Sequence, residues 1–305
     1  MRKKVDVIVV NWNSGKLTMQ AVAPYLNYDS PIISCNVIVV DNASTDNSCE
    51  LFNNKIKNVI YNSTNVGFGK ACNQAFKGSN ADYILLLNPD TISEPCVLER
   101  LVEFLEETPN YGVTGPRQID EKGKTLKTCG RFPTFRTSLF ELFGLSKLFP
   151  KIFTPAPLMM DWDHSESSEV DHVMGSYMLI RKSVLDEVGF MDEKYFVFLE
   201  DIDLSKRISN QKIKIFYNYS LYIFHEGGGT GHKMKARRLF YSLSARSIYW
   251  RKHFGRFQGN ILIIISFLAE PFLRIIDSLI KERKSNFKVI SKAYVLYFKS
   301  LLIPA

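Results

Sequence analysis

Short apolar runs alternate with longer amphipathic stretches over the first 115 residues, which predicts strands and helices taken in turn. Residues 5–10 form a short run rich in valine and isoleucine, as expected of a buried strand. Asn13-Ser14-Gly15 breaks it ahead of a helical segment. Residues 37–40 predict a second strand ending in Asp41-Asn42, Asn58–Tyr61 a weak third, and Tyr83–Leu87 a fourth ending in Asn88-Pro89-Asp90. In residues 96–107, Val97, Leu101, Val102 and Leu105 make one apolar stripe, the period of a helix. Strands separated by helices imply a largely parallel sheet, whose ligands bind at the carboxyl ends of the strands. Asn11, Asp41 and Asp90 all fall at such ends.

The pattern is less regular further on. Residues 116–170 carry Pro, Gly and aromatic residues that suggest loops and edge strands over the sheet. Residues 170–180 read as one strand with Gly175-Ser176 in its middle, and Lys182–Val188 as a short helix stopped by Gly189. An aromatic run then leads into an amphipathic helix that begins with Glu200, Asp201 and Asp203. Residues 212–217 predict another strand, and 222–224 deliver His225 to the run Gly227-Gly228-Gly229. No internal repeat or low-complexity segment is visible.

Charge changes the picture of the tail. Residues 233–305 hold 15 Lys/Arg against 3 acids, while 1–232 hold 24 basic and 28 acidic residues, so a mildly acidic body carries a basic tail within a net charge of +8. The apolar stretch 261–269 is followed at once by Glu270, Pro271, Arg274 and Asp277. A spanning helix needs about 20 apolar residues, so this is a poor candidate. Lys281, Lys284, Lys288, Lys292 and Lys299 fall within a sector of roughly 80° on a helix, with apolar residues such as Val289, Ile290, Tyr297 and Leu301 filling the rest. Such a helix reads as lying on an anionic membrane surface; packing on the body or on a second copy stays open, as does a homo-oligomer. Nucleic acid fits less well, because the apolar surface is large and the basic residues match no reading motif. Met1-Arg2-Lys3-Lys4 leads into only six residues before Asn11, too few for a secretory signal. The five cysteines form no CxxC pair, which suits reduced thiols in the cytoplasm. The expected location is therefore cytoplasmic, peripheral on the inner face of the cell membrane.

Several positions carry candidate chemistry. Three carboxylates at Glu200, Asp201 and Asp203 repel one another and raise at least one pKa unless a cation, a metal or solvent compensates; helix-start acids favoured by the macrodipole are the plainer reading. Asp41, at a strand end, can accept a hydrogen bond from the imide N–H of uracil or thymine, whereas Ser44 and Asp46 read as turn and cap residues. Asn65-Val66-Gly67-Phe68-Gly69-Lys70 opens a helix, and its glycines would let backbone approach a phosphate, or simply make a tight turn. Asp90 can hold a divalent cation that bridges a diphosphate. His225 can ligate the same ion or touch the diphosphate, and His232 reads more as structural.

These blocks, in this order, resemble glycosyltransferase family 2, over roughly residues 5–255: Val10-Asn11-Trp12-Asn13, Asp41-Asn42-Ala43-Ser44-Thr45-Asp46, Asn65-Val66-Gly67-Phe68-Gly69, Leu87-Asn88-Pro89-Asp90, Gly175-Ser176 with the following strand, and Glu200-Asp201-Ile202-Asp203. Within the family, the Asn-Pro-Asp form, Arg131-Phe132-Pro133-Thr134 and the glycine run after His225 are most similar to bacterial rhamnosyltransferases of O-antigen and other polysaccharide synthesis. The resemblance implies a GT-A fold, a Rossmann-like mixed α/β sheet flanked by helices. Its catalytic domain would span 1–235, with a nucleotide-sugar half to about 115 and an acceptor half from 116, followed by a helical, basic, membrane-associating region over 236–305. It implies an inverting enzyme that moves a sugar, L-rhamnose from dTDP-rhamnose, from a nucleotide-sugar donor to a lipid-linked saccharide acceptor. Asp201 would be the base with Glu200 beside it. Asn11, Asp41, Asn65, Gly67 and Lys70 would bind the nucleotide, and Asp90 with His225 the cation, Mn2+ or Mg2+. Gly175 and Ser176 would line the acceptor side. Asn88 stands where the family's metal motif has its first acid, so the metal has one fewer charged ligand. The Gln-x-x-Arg-Trp signature of processive synthases is absent, which favours addition of one or a few sugars. A UDP-hexose donor, and a non-catalytic homologue that binds lipid or a partner, stay open. A sugar-nucleotide pyrophosphorylase would need a glycine-rich, basic loop after the first strand, where this chain has Asn11-Trp12-Asn13-Ser14-Gly15.

Overall fold

The computed structural model describes residues 1–226, 235–280 and 286–302. The glycine run at 227–229, His232, Lys281 and Lys284 lie outside them. The strands are β1 (Lys3–Asn11), β2 (Ile33–Asp41), β3 (Asn58–Tyr61), β4 (Tyr83–Leu87), β5 (Thr91–Ile92), β6 (Tyr111–Ile119), β7 (Cys129–Gly130), β8 (Ser168–Val170), β9 (His172–Val173), β10 (Tyr177–Arg181) and β11 (Lys214–His225). The helices are α1 (Gly15–Val22), α2 (Ser48–Phe52), α3 (Phe68–Phe76), α4 (Pro95–Glu107), α5 (Phe135–Leu142), α6 (Leu145–Leu148), α7 (Lys182–Val188), α8 (Glu200–Asn210), α9 (Lys235–His253), α10 (Gly255–Leu268), α11 (Glu270–Ile280) and α12 (Asn286–Leu302).

One mixed sheet runs in the order β3-β2-β1-β4-β10-β6-β11-β5, with β8 added to β11. Strands β3, β2, β1 and β4 are parallel, and β10 enters antiparallel between β4 and β6. Both faces are covered. Val5, Val7 and Val9 of β1 point into a cluster with Leu98, Leu101, Val102 and Leu105 of α4, while Ile8 joins Ala71 and Cys72 of α3 and Leu204 and Ile208 of α8 on the other face. That two-sided burial is why β1 and β4 read as continuous apolar runs rather than alternating ones.

The stretch read as one strand over 170–180 is three short pieces, β8, β9 and β10, and its break falls at Met174–Ser176. Conversely, the two strands expected over 212–217 and 222–224 are one, β11, with a register irregularity between Asn218 and Tyr222. Strand β6 lies inside the sheet despite Gly115 and Pro116. Its pairing with β10 stops at Val113 and Thr114, so Pro116 has no β10 partner to donate to.

A third apolar cluster crosses residue 235. Leu142, Tyr195 and Ile202 pack with Leu243, Tyr249 and Trp250 of α9, Leu262 and Ile263 of α10, and Ile290, Tyr294 and Tyr297 of α12. Gly255–Ile276 is long and apolar enough to cross a membrane by length and composition, with mean hydropathy 1.8. It was expected to end at Glu270-Pro271, but proline is tolerated in the first turn of α11. Glu270 is turned inward, where it accepts from Arg246 of α9 at 2.7 and 2.9 Å, from Arg274 at 2.7 Å and from Ser266 at 2.7 Å.

Candidate active site

The carboxyl ends of β1 and β2 meet side by side, Asn11 opposite Asp41. Asn11 Nδ2 donates to Asp41 Oδ1 at 2.7 Å, and the Ser44 N–H donates to Oδ2 at 3.1 Å. Thr18 Oγ1 fixes the Asn11 amide by donating to its Oδ1. Ser44 Oγ accepts from Asn13 N–H, and Asp46 accepts from Ser48, so both serve the turn. Beyond Asp41, Asn42 donates to Asn65 Oδ1 at 3.0 Å and to the Gly67 carbonyl at 3.1 Å. Asn11, Asp41 and Asn65 thus form one polar shelf.

Gly67 has a different task from the one expected. A Cβ there would sit 2.6 Å from the Phe196 carbonyl oxygen, at a φ of +89°. The N–H groups of Val66, Gly67 and Phe68 are taken by Asn42 Oδ1, Asn65 Oδ1 and the Phe196 carbonyl. The turn therefore docks α3 onto the segment leading into α8, and does not offer these N–H groups to a phosphate. Lys70, in the first turn of α3, stays exposed.

Asp90 lies just past β4, and β5 pairs with β11 so that Thr91 faces His225. This brings His225 Nε2 within 3.2 Å of Asp90 Oδ1, with both side chains about nine-tenths buried. Burial pushes the Asp90 carboxyl up, but the His225 contact outweighs it and holds the carboxyl below its ordinary value.

The 174–177 turn joins this corner to α8. The Ser176 carbonyl accepts from Asn88 N–H at 2.9 Å, which fixes the Asn88-Pro89-Asp90 loop. One residue earlier, Gly175 N–H donates to Asp201 Oδ2 at 3.1 Å, and a Cβ on Gly175 would lie only 3.2 Å from that oxygen. Gly175 thus lets Asp201 approach closely. Ser176 does not line an acceptor surface as expected: it is fully buried, and its hydroxyl is paired with Gln118.

Phe198 and Leu199 enter α8 at φ of +75° and +64°, a conformation that costs non-glycine residues about 1–3 kcal/mol each. This corner aims three neighbouring carboxylates into three environments. Glu200 points into the protein beside Cys72, 5% exposed, with Oε2 unpartnered among the described residues. Burial, then the Asp201 charge, pushes its carboxyl well above its ordinary value, so it is held neutral. Asp203 is fully buried against Arg207, Lys252 and His253. Asp201 faces His172, whose Nε2 lies 3.5 Å from Oδ2, and its Oδ1 accepts from Ile202 N–H at 2.9 Å. Burial pushes the Asp201 carboxyl up, but His172 and the N–H groups of Gly175 and Ile202 outweigh it and keep it ionised. The expected repulsion is thus resolved by protonating one acid and pairing two. Sequence reading missed His172, Ser205 and Gln118, which act only through contacts between distant elements.

The neutrality of Glu200 is testable. Above about pH 4.3 the unfolded chain releases this proton while the folded chain keeps it, so this group makes folding less favourable as pH rises, by at most ~1.4 kcal/mol per pH unit. Glu200→Gln is neutral throughout. It is expected to melt above the parent by a margin that widens as pH rises above the ordinary carboxylate range. A margin independent of pH in calorimetry would mean that Glu200 is ionised in the fold.

Residues 6–189 match the sequence pattern of "Glycosyl transferase family 2". Over 310 aligned residues the chain is 23% identical to an N-acetylglucosaminyl-diphospho-decaprenol L-rhamnosyltransferase of Mycobacterium tuberculosis, covering 95% of this chain and 99% of that protein. It is 27% identical to the rhamnosyltransferase WbbL of Escherichia coli over 156 residues, half of this chain and 55% of that one. Among solved structures, the mannosyltransferase PcManGT of Pyrobaculum calidifontis, in complex with GDP-Man and Mn2+, superposes with a TM-score of 0.55 at 14% identity, over 99% of this chain and 88% of that one. The first 349 residues of Staphylococcus aureus TarS superpose at 0.50 with 16% identity, over 98% and 91%. The fold is of the GT-A type, and the chain belongs to glycosyl transferase family 2 and is a glycosyltransferase.

Proposed function

We propose that this enzyme inverts the anomeric centre as it moves L-rhamnose from dTDP-rhamnose to a lipid-linked saccharide, in the synthesis of a cell-surface polysaccharide. The observation that carries the mechanism is that one turn, 174–177, bonds both to Asn88 in the loop that bears Asp90 and to Asp201. Asp201 is the base. It takes the proton of an acceptor hydroxyl as that oxygen bonds to the anomeric carbon, and the bond from that carbon to the donor's phosphate oxygen breaks, leaving its electron pair on the nucleoside diphosphate. Asp41, held by Asn11, accepts from the thymine imide. Rhamnose is supported by the names of the Mycobacterium tuberculosis and Escherichia coli relatives, and the lipid-linked acceptor by that of the former.

The residues present fit a divalent cation, Mn2+ or Mg2+. Asp90 and His225 are adjacent, and no third His, Cys, Asp or Glu joins them among the described residues. A two-ligand protein site suits ions that complete their shells with phosphate and water. When bound, the ion offsets the charge of the departing diphosphate. The deciding experiment incubates the purified protein and Mn2+ with a polyprenyl-diphosphate GlcNAc acceptor and, in turn, dTDP-rhamnose and UDP-hexoses, and reads product mass and anomeric configuration. Transfer only from a UDP-hexose removes rhamnose; transfer with retention removes the single-base mechanism; no transfer from any donor favours the non-catalytic homologue.

The helical region supports attachment to the inner face of the cell membrane. Phe257, Ile264, Leu268, Phe272 and Ile276 are exposed along α10 and α11, and Lys288, Lys292 and Lys299 are exposed on α12. Phe272→Glu combined with Ile276→Glu is expected to weaken binding to phosphatidylglycerol vesicles at least tenfold, since burying a large apolar side chain is worth roughly 1.5–3 kcal/mol. Unchanged co-sedimentation would remove the membrane reading. Point variants are the right probe because truncation would uncover Leu243, Tyr249 and Trp250.

A further inference from the structure

We infer that His172, with Ser205 behind it, is a positioning residue that holds the carboxylate of Asp201 in register for proton transfer. The inference rests on Asp201 being the base. His172 is on β9, beside Val173, and it is 2% exposed. A histidine that only filled space would have no need of polar partners at both ring nitrogens. Here Nδ1 lies 2.9 Å from Ser205 Oγ and Nε2 lies 3.5 Å from Asp201 Oδ2. With Ser205 donating to Nδ1, the ring proton sits on Nε2, the nitrogen nearest the carboxylate. Orientation by a partner on the other nitrogen is how a histidine's tautomer is set.

The ring is clamped from a third side. Gly130 of β7 is paired with His172, and a Cβ at Gly130 would lie 3.3 Å from the ring's Cδ2. Asp201 and Ser205 are four residues apart on α8, so they share one helical face and both meet the ring. Asp201 Oδ2 thus accepts from Gly175 N–H on one side of the 174–176 break and has His172 Nε2 3.5 Å away on the other, while Oδ1 is held by Ile202 N–H. The 3.5 Å gap is at the outer limit of a hydrogen bond, and contacts of this kind are often long before substrate binds and tighten on the reaction path.

The test uses the full chain in the transfer assay with His172→Phe, His172→Gln and Ser205→Ala. Phe keeps a ring without a donor; Gln places an amide N–H near the position of Nε2. His172→Phe is expected to lower kcat about 10- to 100-fold, the range for a hydrogen bond to a charged group, with the donor KM within about twofold. His172→Gln should recover a large part of that loss. Ser205→Ala, which removes one oxygen from the fold, should lower kcat about two- to tenfold. In an Asp201→Asn background, His172→Phe should add nothing, because the carboxylate it holds is gone. Near-parental kcat for His172→Phe, or Gln as poor as Phe with an equal fall in melting temperature, would overturn the positioning role; should His172→Phe not fold, an unchanged Ser205→Ala does the same. An active Asp201→Asn would instead overturn the base assignment, so the two failures are distinct.

Discussion

Asp201→Asn is expected to lower the turnover of this enzyme by at least ~10²–10⁴-fold, the usual contribution of a positioned general base, while leaving donor affinity nearly unchanged. Asparagine keeps the shape of the side chain and can still accept from Gly175 N–H, so the corner between β9, β10 and α8 should survive the change. Only the capacity to take a proton is lost. The proposed donor contacts lie elsewhere, at Asp41 and its Asn11 support, and at the Asp90–His225 corner. Single-turnover transfer measured beside a donor titration separates the two effects, and near-parental turnover would show that another group takes the proton. The pH profile of the parent carries a second signature. His172 and the N–H bonds hold the Asp201 carboxyl below its ordinary value despite burial. The proposed base is therefore already ionised well below neutrality, and the acid limb of kcat/KM should fall only below the ordinary carboxylate range, about pH 4.

Much of the sheet was legible because buried strands leave a local trace. Asn58–Tyr61 and Tyr83–Leu87 were read to the residue, as was the helix Lys182–Val188. So were the polar residues that close the parallel strands, since a polar residue ending an apolar run is visible without knowing its neighbours. The strand β6 was not, because Gly112, Gly115 and Pro116 look like a loop; they fit a strand only because Val173 fills the space beside Gly115 and pairing with β10 has ended before Pro116. The break between β9 and β10 was hidden for the opposite reason. Residues 170–180 are apolar enough to run straight through, and what interrupts them is the need to turn a peptide N–H toward Asp201. His172 and Ser205 had no signal of their own. A histidine in a strand and a serine in a helix are ordinary residues until the two elements cross.

The same logic explains why the acidic cluster at 200–203 could be found but not apportioned, and it leads to a large expected effect on stability. Asp203→Asn is expected to destabilise the fold by about 3–5 kcal/mol near neutral pH, the usual cost of removing one partner from a buried ion pair. Asp203 is fully buried, with Arg207 Nε at 3.0 Å, Lys252 Nζ at 2.8 Å and His253 Nε2 at 2.8 Å. Lys252 and His253 come from the end of α9, so one carboxylate ties the helix that bears Asp201 to the C-terminal helices that pack with Tyr195 and Ile202. Without its charge, these basic groups remain together around a neutral amide. The sign with pH follows from the direction of the shift. Burial pushes the Asp203 carboxyl up, but bonds from His253, Lys252 and Arg207 outweigh it and hold it far below its ordinary value. Its stabilisation is therefore present above the unfolded value of about 3.9 and is lost as pH falls from there toward the folded value. A melting temperature roughly 10 °C below the parent at pH 7, with the gap closing in acid, is the expected result. A variant that melts like the parent would mean that the cluster is solvated and does not join α8 to α9. A variant that melts like the parent but no longer transfers sugar would move Asp203 out of the scaffold and into the reaction.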